Sequence, residues 1–168
     1  AHYADQGVVA AHQIWNEQDA HHGAVASVRL DSNTYAQMLS TVIPMIRAVD
    51  PNTPVITGGH TGGPGPGSTY AAKTLQALAA GVEVDGLALH PYGREAKLPS
   101  PYAHFGHIDE SVNAYWNVLQ KPLWLTEWGV LNAPNEPASA IRNYAVPTLA
   151  RLDKQRPEKI AATGRYAW

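Results

Sequence analysis

The chain has 168 residues, 45% of them hydrophobic and 15% charged, which is enough apolar material for one soluble globular domain with its own core. Its formal net charge is -2 and its lysines and arginines are scattered, so neither nucleic acid nor another polyanion is an expected partner. With no cysteine it has no disulfide, thiolate metal site or cysteine nucleophile, and no apolar run approaches the roughly 18 residues of a membrane span, so no membrane partner is expected.

A strand pattern arrives almost at once, as if the chain opened in the middle of a fold. After Gly7, the run Val8 to Ala11 with Ile14 and Trp15 reads as a buried parallel strand that ends in Asn16-Glu17. A polar stretch through His21, His22 and Gly23 leads to a helix with Tyr35, Met38, Leu39, Val42, Ile46 and Val49 on one face. Asp31 or Ser32 can cap its first turn, Pro44 should kink it, and Asp50-Pro51 ends it. Pro54 to Gly59 reads as a second strand, and the glycines and prolines from Gly62 to Gly67 predict a loop without regular structure.

Thr69 to Ala80 suits a helix closed by Gly81, and the third strand follows at Val84 to His90. The stretch from Pro91 to Gly106 has the proline, aromatic and histidine content of a substrate-facing loop, with His104 and His107 in it or at its edge. A helix then turns Val112, Tyr115, Trp116 and Leu119 inward. Leu123 to Thr126 forms a fourth strand that delivers Glu127 at its end, followed by a loop through Asn132 and Pro134. Pro137 opens a helix that runs to about Leu152 with Pro147 inside it, and Lys159 to Thr163 gives a fifth strand.

Strands alternating with helices predict right-handed crossovers and a parallel sheet, either an open doubly wound one or a closed barrel. The glycine fingerprint that cradles phosphate in the open form is missing after the first strand, and the prolines at 64 and 66 lack the N–H groups to replace it. In a parallel barrel the reacting groups gather where strands end. Three strand ends here carry suitable residues: Trp15-Asn16-Glu17, His90-Pro91-Tyr92 and Thr126-Glu127-Trp128. Two carboxyls facing one cleft are what acetal hydrolysis requires, since one gives a proton to the leaving oxygen while the other meets the developing positive charge.

Ile14-Trp15-Asn16-Glu17 and Leu125-Thr126-Glu127-Trp128-Gly129 resemble the strand-four and strand-seven signatures of the clan A retaining glycoside hydrolases, of the cellulase and β-xylosidase kind, and His90-Pro91-Tyr92 resembles their strand-six signature. The resemblance implies a TIM (β/α)8 barrel of which this chain is the C-terminal part, residues 1–168, with about five β/α units and the N-terminal strands missing. It implies that Glu17 is the general acid and base, that the Asn16 amide binds the sugar 2-hydroxyl, and that Glu127 is the nucleophile. It implies further that Tyr92 donates its phenol hydrogen to Glu127 and keeps it ionised, while His90 lines the same floor. One departure is Gln18, where the family usually has proline; it touches loop stiffness more than proton transfer.

Five further aromatic or imidazole groups are candidates for sugar contact or for the core. Trp168 could be the platform under the sugar ring. Trp15, Trp124 and Trp128 could be barrel filling or helix contacts; for Trp124, mid-strand, core is the better reading, and Trp128 could equally touch sugar. His60 could touch substrate or serve a backbone carbonyl. No metal and no cofactor is expected, because no His-Glu-x-x-His occurs and the adjacent His21 and His22 face different ways. No Gly-x-Ser-x-Gly elbow supports a serine nucleophile.

The expected partner is a carbohydrate substrate. An unclosed barrel exposes strand edges, so the isolated chain is also expected to be poorly stable, to pair with a missing N-terminal half, or to self-associate. The alternative to an enzyme is a catalytically incompetent barrel fragment that binds carbohydrate or serves as an assembly module. The identity of the glycan and the place where the protein works stay open at this point, although the resemblance leans toward an extracytoplasmic one.

Overall fold

The computed structural model describes residues 6–20, 28–94, 105–131 and 146–167. Within them the elements are β1 (His12–Ile14), α1 (Ser32–Arg47), β2 (Val55–Thr57), a π-helical turn (Gly63–Gly67), α2 (Ser68–Gln76), β3 (Leu87–Leu89), β4 (Tyr92–Arg94), α3 (Phe105–Leu119), β5 (Leu123–Leu131), α4 (Val146–Lys159) and β6 (Ile160–Ala167). The fold is α/β, and all its strand pairings are parallel: β1 with β2, β3 and β4 with β5, and β5 with β6. Single bridges from Ile56 to Gly86 and from His60 to Leu89 carry the wall from β2 to β3, so the strands lie side by side in chain order. Among the described residues no helix is long and apolar enough to cross a membrane.

Two clusters of apolar residues hold the helices against this wall. Tyr35, Leu39 and Ile43 of α1 pack with Val55 and Val84. Leu87, Leu89, Leu123, Leu125 and Ile160 from the strands meet Ile108, Val112 and Tyr115 of α3 and Leu152 of α4. Helix α1 starts where Asp31 accepts hydrogen bonds from the Asn33 and Thr34 N–H groups, each at 3.0 Å, satisfying donors that have no partner within the helix.

Several boundaries differ from those predicted, for physical reasons. Only His12–Ile14 pairs in the first strand, and Val8 is exposed. The Gly-Pro run is a regular wide turn closed by the Gly67 N–H on the Gly62 carbonyl at 3.2 Å, because Pro64 stands where a missing N–H costs nothing. Helix α2 stops at Gln76, and Gly81, with φ +79°, serves the turn beyond it rather than the helix end. Part of the expected 91–106 loop is the strand β4, and α3 already includes Phe105 and Gly106. Pro147 lies in the first turn of α4, not inside it, and that helix continues past Leu152 to Lys159. The readings placed on His21 and His22, on His104, and on Asn132, Pro134 and Pro137 lie outside the described residues.

The largest departure is β5, which runs to Leu131 rather than ending before Glu127. Leu87 to Leu89 pair with Leu123 to Leu125, and Tyr92 to Arg94 pair with Gly129 to Leu131. Between these ladders Thr126, Glu127 and Trp128 face only His90 and Pro91, so β5 carries one extra residue. Pro91 has no N–H to continue the ladder at that point. Toward β6 the register of β5 is unbroken from Trp124 to Gly129, so the mismatch is confined to the β3 and β4 side. Leu123, Leu125 and Trp128 all lie in the buried cluster with α3 and α4.

Candidate active site

Glu17 stands just beyond β1 on a backbone that non-glycine residues seldom adopt. Its φ is +49° and that of Trp15 is +75°, left-handed values that cost on the order of 1–3 kcal/mol each and persist only where neighbours hold them. The Glu17 N–H donates to the Gly59 carbonyl at 3.0 Å, and the Glu17 carbonyl accepts from the Ala20 N–H at 3.0 Å. Tyr35, from α1, ties the same corner together: its hydroxyl donates to the Ile14 carbonyl at 2.8 Å and accepts from the Gly58 N–H at 2.7 Å. The strand thus breaks sharply after Ile14, and the Glu17 carboxylate is carried over the end of the wall.

There it meets two groups from other strands. His90, which follows β3, places Nδ1 at 3.1 Å from Glu17 Oε1 and 3.6 Å from Glu127 Oε2. Tyr92 donates its hydroxyl hydrogen to Glu127 Oε2 at 2.9 Å. Burial, then the hydrogen bond to Glu127 and the charges of Glu127 and Glu17, raise the Tyr92 phenol far above its ordinary range, so it stays a donor. The nearest donor atoms of Glu17, His90 and Glu127 all lie within 4.8 Å of one another. The imidazole side chain is 0% exposed, whereas Glu17 is 19% and Glu127 43% exposed, so the carboxylates face solvent over a buried histidine.

Glycines shape the floor. A Cβ on Gly59 would overlap the His90 ring, with Cε1 at 2.6 Å and Nε2 and Cδ2 closer still. One on Gly58 would stand 2.8 Å from the Trp15 carbonyl and overlap the Gln18 amide. The end of β2 is therefore bare because a histidine and a backbone corner occupy the space a side chain would take.

The residues singled out in the sequence separate into groups. Glu17, Glu127, His90 and Tyr92 are brought together, and Asn16 is exposed beside Glu17. His60 is not at the opening: its side chain is 0% exposed, 3.4 Å from Asp19 and packed edge-on or tilted against Tyr70 and Tyr115. Trp128, open to sugar contact or core, lies in the core, 2% exposed within the cluster under α3 and α4. Trp15 is not barrel filling: it is 44% exposed, its indole N–H donating to the Val28 carbonyl at 3.3 Å. Trp124 is half-buried beside Gly86. Trp168 lies outside the described residues.

Glu17, His90 and Glu127 are also close enough to share one cation. In the arrangement seen, Nδ1 of His90 is engaged with Glu17 and Oε2 of Glu127 with Tyr92, so a cation would compete with both bonds. No His-Glu-x-x-His search finds such a set, because its members come from three separate strands.

Two site residues escaped the sequence reading. Gln18 is fully buried, its amide donating to the Gly58 carbonyl at 3.1 Å. Asp19 is also buried and accepts from the Thr61 and Gly62 N–H groups at 2.9 and 3.0 Å. Burial alone would raise the Asp19 carboxyl, but His60 and those two N–H groups outweigh it and hold it below the usual carboxylate range. The readable signal was the pairing of two polar residues after Glu17 with a strand end containing Gly58, Gly59 and Gly62.

The class the fold defines is a parallel α/β wall, with two glutamates within reach of each other where its strands end. The chain belongs to the glycosyl hydrolase catalytic core family, whose model matches residues 10–168. No curated protein gives a significant match. Among solved structures, a GH128 subgroup VII oligosaccharide-binding protein from Trichoderma gamsii has a TM-score of 0.68 at 17% identity, with 94% of this chain and 56% of that one covered. A GH128 subgroup II endo-beta-1,3-glucanase from Sorangium cellulosum has a TM-score of 0.65 at 18% identity, covering 99% and 71%. A GH128 subgroup I endo-beta-1,3-glucanase from Amycolatopsis mediterranei, crystallised as a mutant, has a TM-score of 0.66 at 19% identity, covering 92% and 61%. These likenesses show the shared fold. The chain spans 56%, 56% and 61% of the first three solved chains it resembles.

Proposed function

We propose that the chain is the C-terminal portion of a glycoside hydrolase barrel that cleaves β-glycosidic bonds with retention, using Glu17 as general acid and base and Glu127 as nucleophile. The observation that carries this reading is the approach of the two carboxylates: their nearest donor atoms, with that of His90, lie within 4.8 Å. Retaining enzymes keep the pair roughly 5 to 5.5 Å apart, whereas inverting ones leave roughly 6.5 to 9.5 Å for a water between them. In the first step Glu127 attacks the anomeric carbon while Glu17 protonates the leaving oxygen. In the second, Glu17 takes a proton from water, which displaces Glu127. Tyr92 holds the Glu127 carboxylate in line through its 2.9 Å bond, and Asn16 binds the sugar 2-hydroxyl. Trp168 is kept as the proposed sugar platform.

Among the described residues β1 and β6 each pair on one side only, in keeping with a barrel wall of about five strands in chain order. The barrel closes when the missing strands are supplied by an N-terminal segment or by a second copy. β-1,3-Glucans are the first substrates to try, because the similar GH128 structures include glucanases of that linkage. Proton NMR of the full chain acting on an aryl β-laminaribioside should show the β-anomer formed first. First release of the α-anomer would refute retention.

The second reading, a carbohydrate-binding module without turnover, is favoured by the oligosaccharide-binding proteins among the similar structures. It predicts laminari-oligosaccharide binding that survives Glu127→Ala, with no product from the unmutated chain.

A further inference from the structure

Resting on the reading of Glu17 as the acid, we propose that Gln18 and Asp19, with His60 beneath them, form a clasp that positions Glu17 for proton transfer without touching the substrate. Three consecutive residues engage one strand end. The Glu17 N–H meets the Gly59 carbonyl at 3.0 Å, the Gln18 amide meets the Gly58 carbonyl at 3.1 Å, and the two Asp19 oxygens take the Thr61 and Gly62 N–H groups at 2.9 and 3.0 Å. The Gln18 carbonyl in turn accepts from the Leu30 N–H at 3.0 Å, so the loop is held on both sides.

The two surfaces are complementary in shape as well as in charge. A Cβ on Gly58 would overlap the Gln18 amide, and one on Gly62 would stand 2.8 Å from the Asp19 carboxylate. His60 fills the space below, its Nδ1 3.4 Å from Asp19 and 3.2 Å from the Gln18 amide nitrogen. A buried carboxylate is expensive to keep unless its partners are fixed, and here two of them are backbone N–H groups. Asp19 has no role in the gap between Glu17 and Glu127, yet it anchors the backbone two residues after a glutamate held at φ +49°. Without the anchor the backbone of Glu17 relaxes to an ordinary conformation, and its carboxylate leaves the 3.1 Å contact with His90.

A positioning role for the acid has a signature that general weakening of the fold does not. Substrates with a poor leaving group need the proton from Glu17, whereas dinitrophenyl glycosides leave without it. In the full chain, Asp19→Asn and Gln18→Met should each lower kcat/KM at least tenfold on phenyl β-laminaribioside, and change it less than about threefold on the dinitrophenyl substrate. Melting curves decide which variant is folded enough to be read. Equal losses on both substrates, or no loss on either, overturn the clasp. Glu17→Ala separates this from failure of the underlying reading: if that variant shows no dependence on leaving group, the assignment of the acid is at fault. Nitrogen-15 spectra of His90 decide the matter without turnover. The Nδ1 resonance shifts in Asp19→Asn if the clasp holds Glu17 against it, and an unchanged resonance refutes the proposal.

Discussion

Adding one methyl group at Gly59 tests the geometry of the floor. Gly59 does not adopt a left-handed φ, so alanine is compatible with its backbone, and by unfolded-state entropy alone the change would stabilise the protein by about 0.4–1 kcal/mol. The structure predicts the opposite sign. The new Cβ would lie 2.6 Å from Cε1 of His90 and nearer still to two other ring atoms, where carbon contacts relax at about 3.5–4.0 Å. The ring is buried and its far side faces Glu17 at 3.1 Å and Glu127 at 3.6 Å, so it cannot retreat without disturbing a carboxylate. Overpacking costs about 1–3 kcal/mol, and contacts this short with a buried ring put Gly59→Ala at the upper end, which leaves a net loss of about 2 kcal/mol after the entropic gain. For a chain of this size that lowers Tm by roughly 4–8 °C in calorimetry. In a His90→Ala background the Gly59→Ala penalty should vanish, because the clash has no partner. A Gly59→Ala protein melting at or above the unmutated one would refute the placement of His90.

Other outcomes follow from the same contacts. Tyr92→Phe removes a hydrogen bond to a carboxylate; with Glu127 43% exposed the low end of the range applies, about 1.5 kcal/mol, or roughly a tenfold fall in kcat/KM. A variant within twofold of the unmutated chain would contradict that role. Asp19 has a depressed carboxyl, so its stabilisation is complete above the unfolded value of 3.8 and is lost as pH falls through the lower folded value. Asp19→Asn should therefore be less stable at neutral pH but show a shallower acid decline in urea titrations below about pH 4; parallel curves would count against it. Trp128→Ala should cost about 3–5 kcal/mol in urea unfolding, since it empties a core site, and a loss below about 1 kcal/mol would return Trp128 to the opening.

The strand order was legible because short apolar runs bounded by glycine and proline mark parallel strands, and Asn16-Glu17, His90-Pro91-Tyr92 and Glu127 each stand out at the end of such a run. What escaped depends on contacts between distant segments. The burial of Trp128 follows from its packing in the cluster built by α3 and α4, elements distant from it in sequence. His60 looked like a mouth residue because it follows β2, yet Asp19, Tyr70 and Tyr115 enclose it from three other segments. Gln18 stood out only as a missing proline and Asp19 not at all, since polar residues after a strand normally face water and nothing local says that a glycine-lined strand end receives them. The Gly-Pro run was misread because prolines break helices inside but are tolerated in a first turn.

Covalent trapping tests the central claim most directly. The chain, alone or joined to the segment that completes the barrel, is incubated with a 2-deoxy-2-fluoro-β-glucosyl fluoride and its peptides are sequenced by mass spectrometry. A fluoroglucosyl ester on Glu127, absent in Glu127→Gln, is the predicted result. An ester on another carboxylate, or turnover that continues in Glu127→Gln, would contradict the assignment.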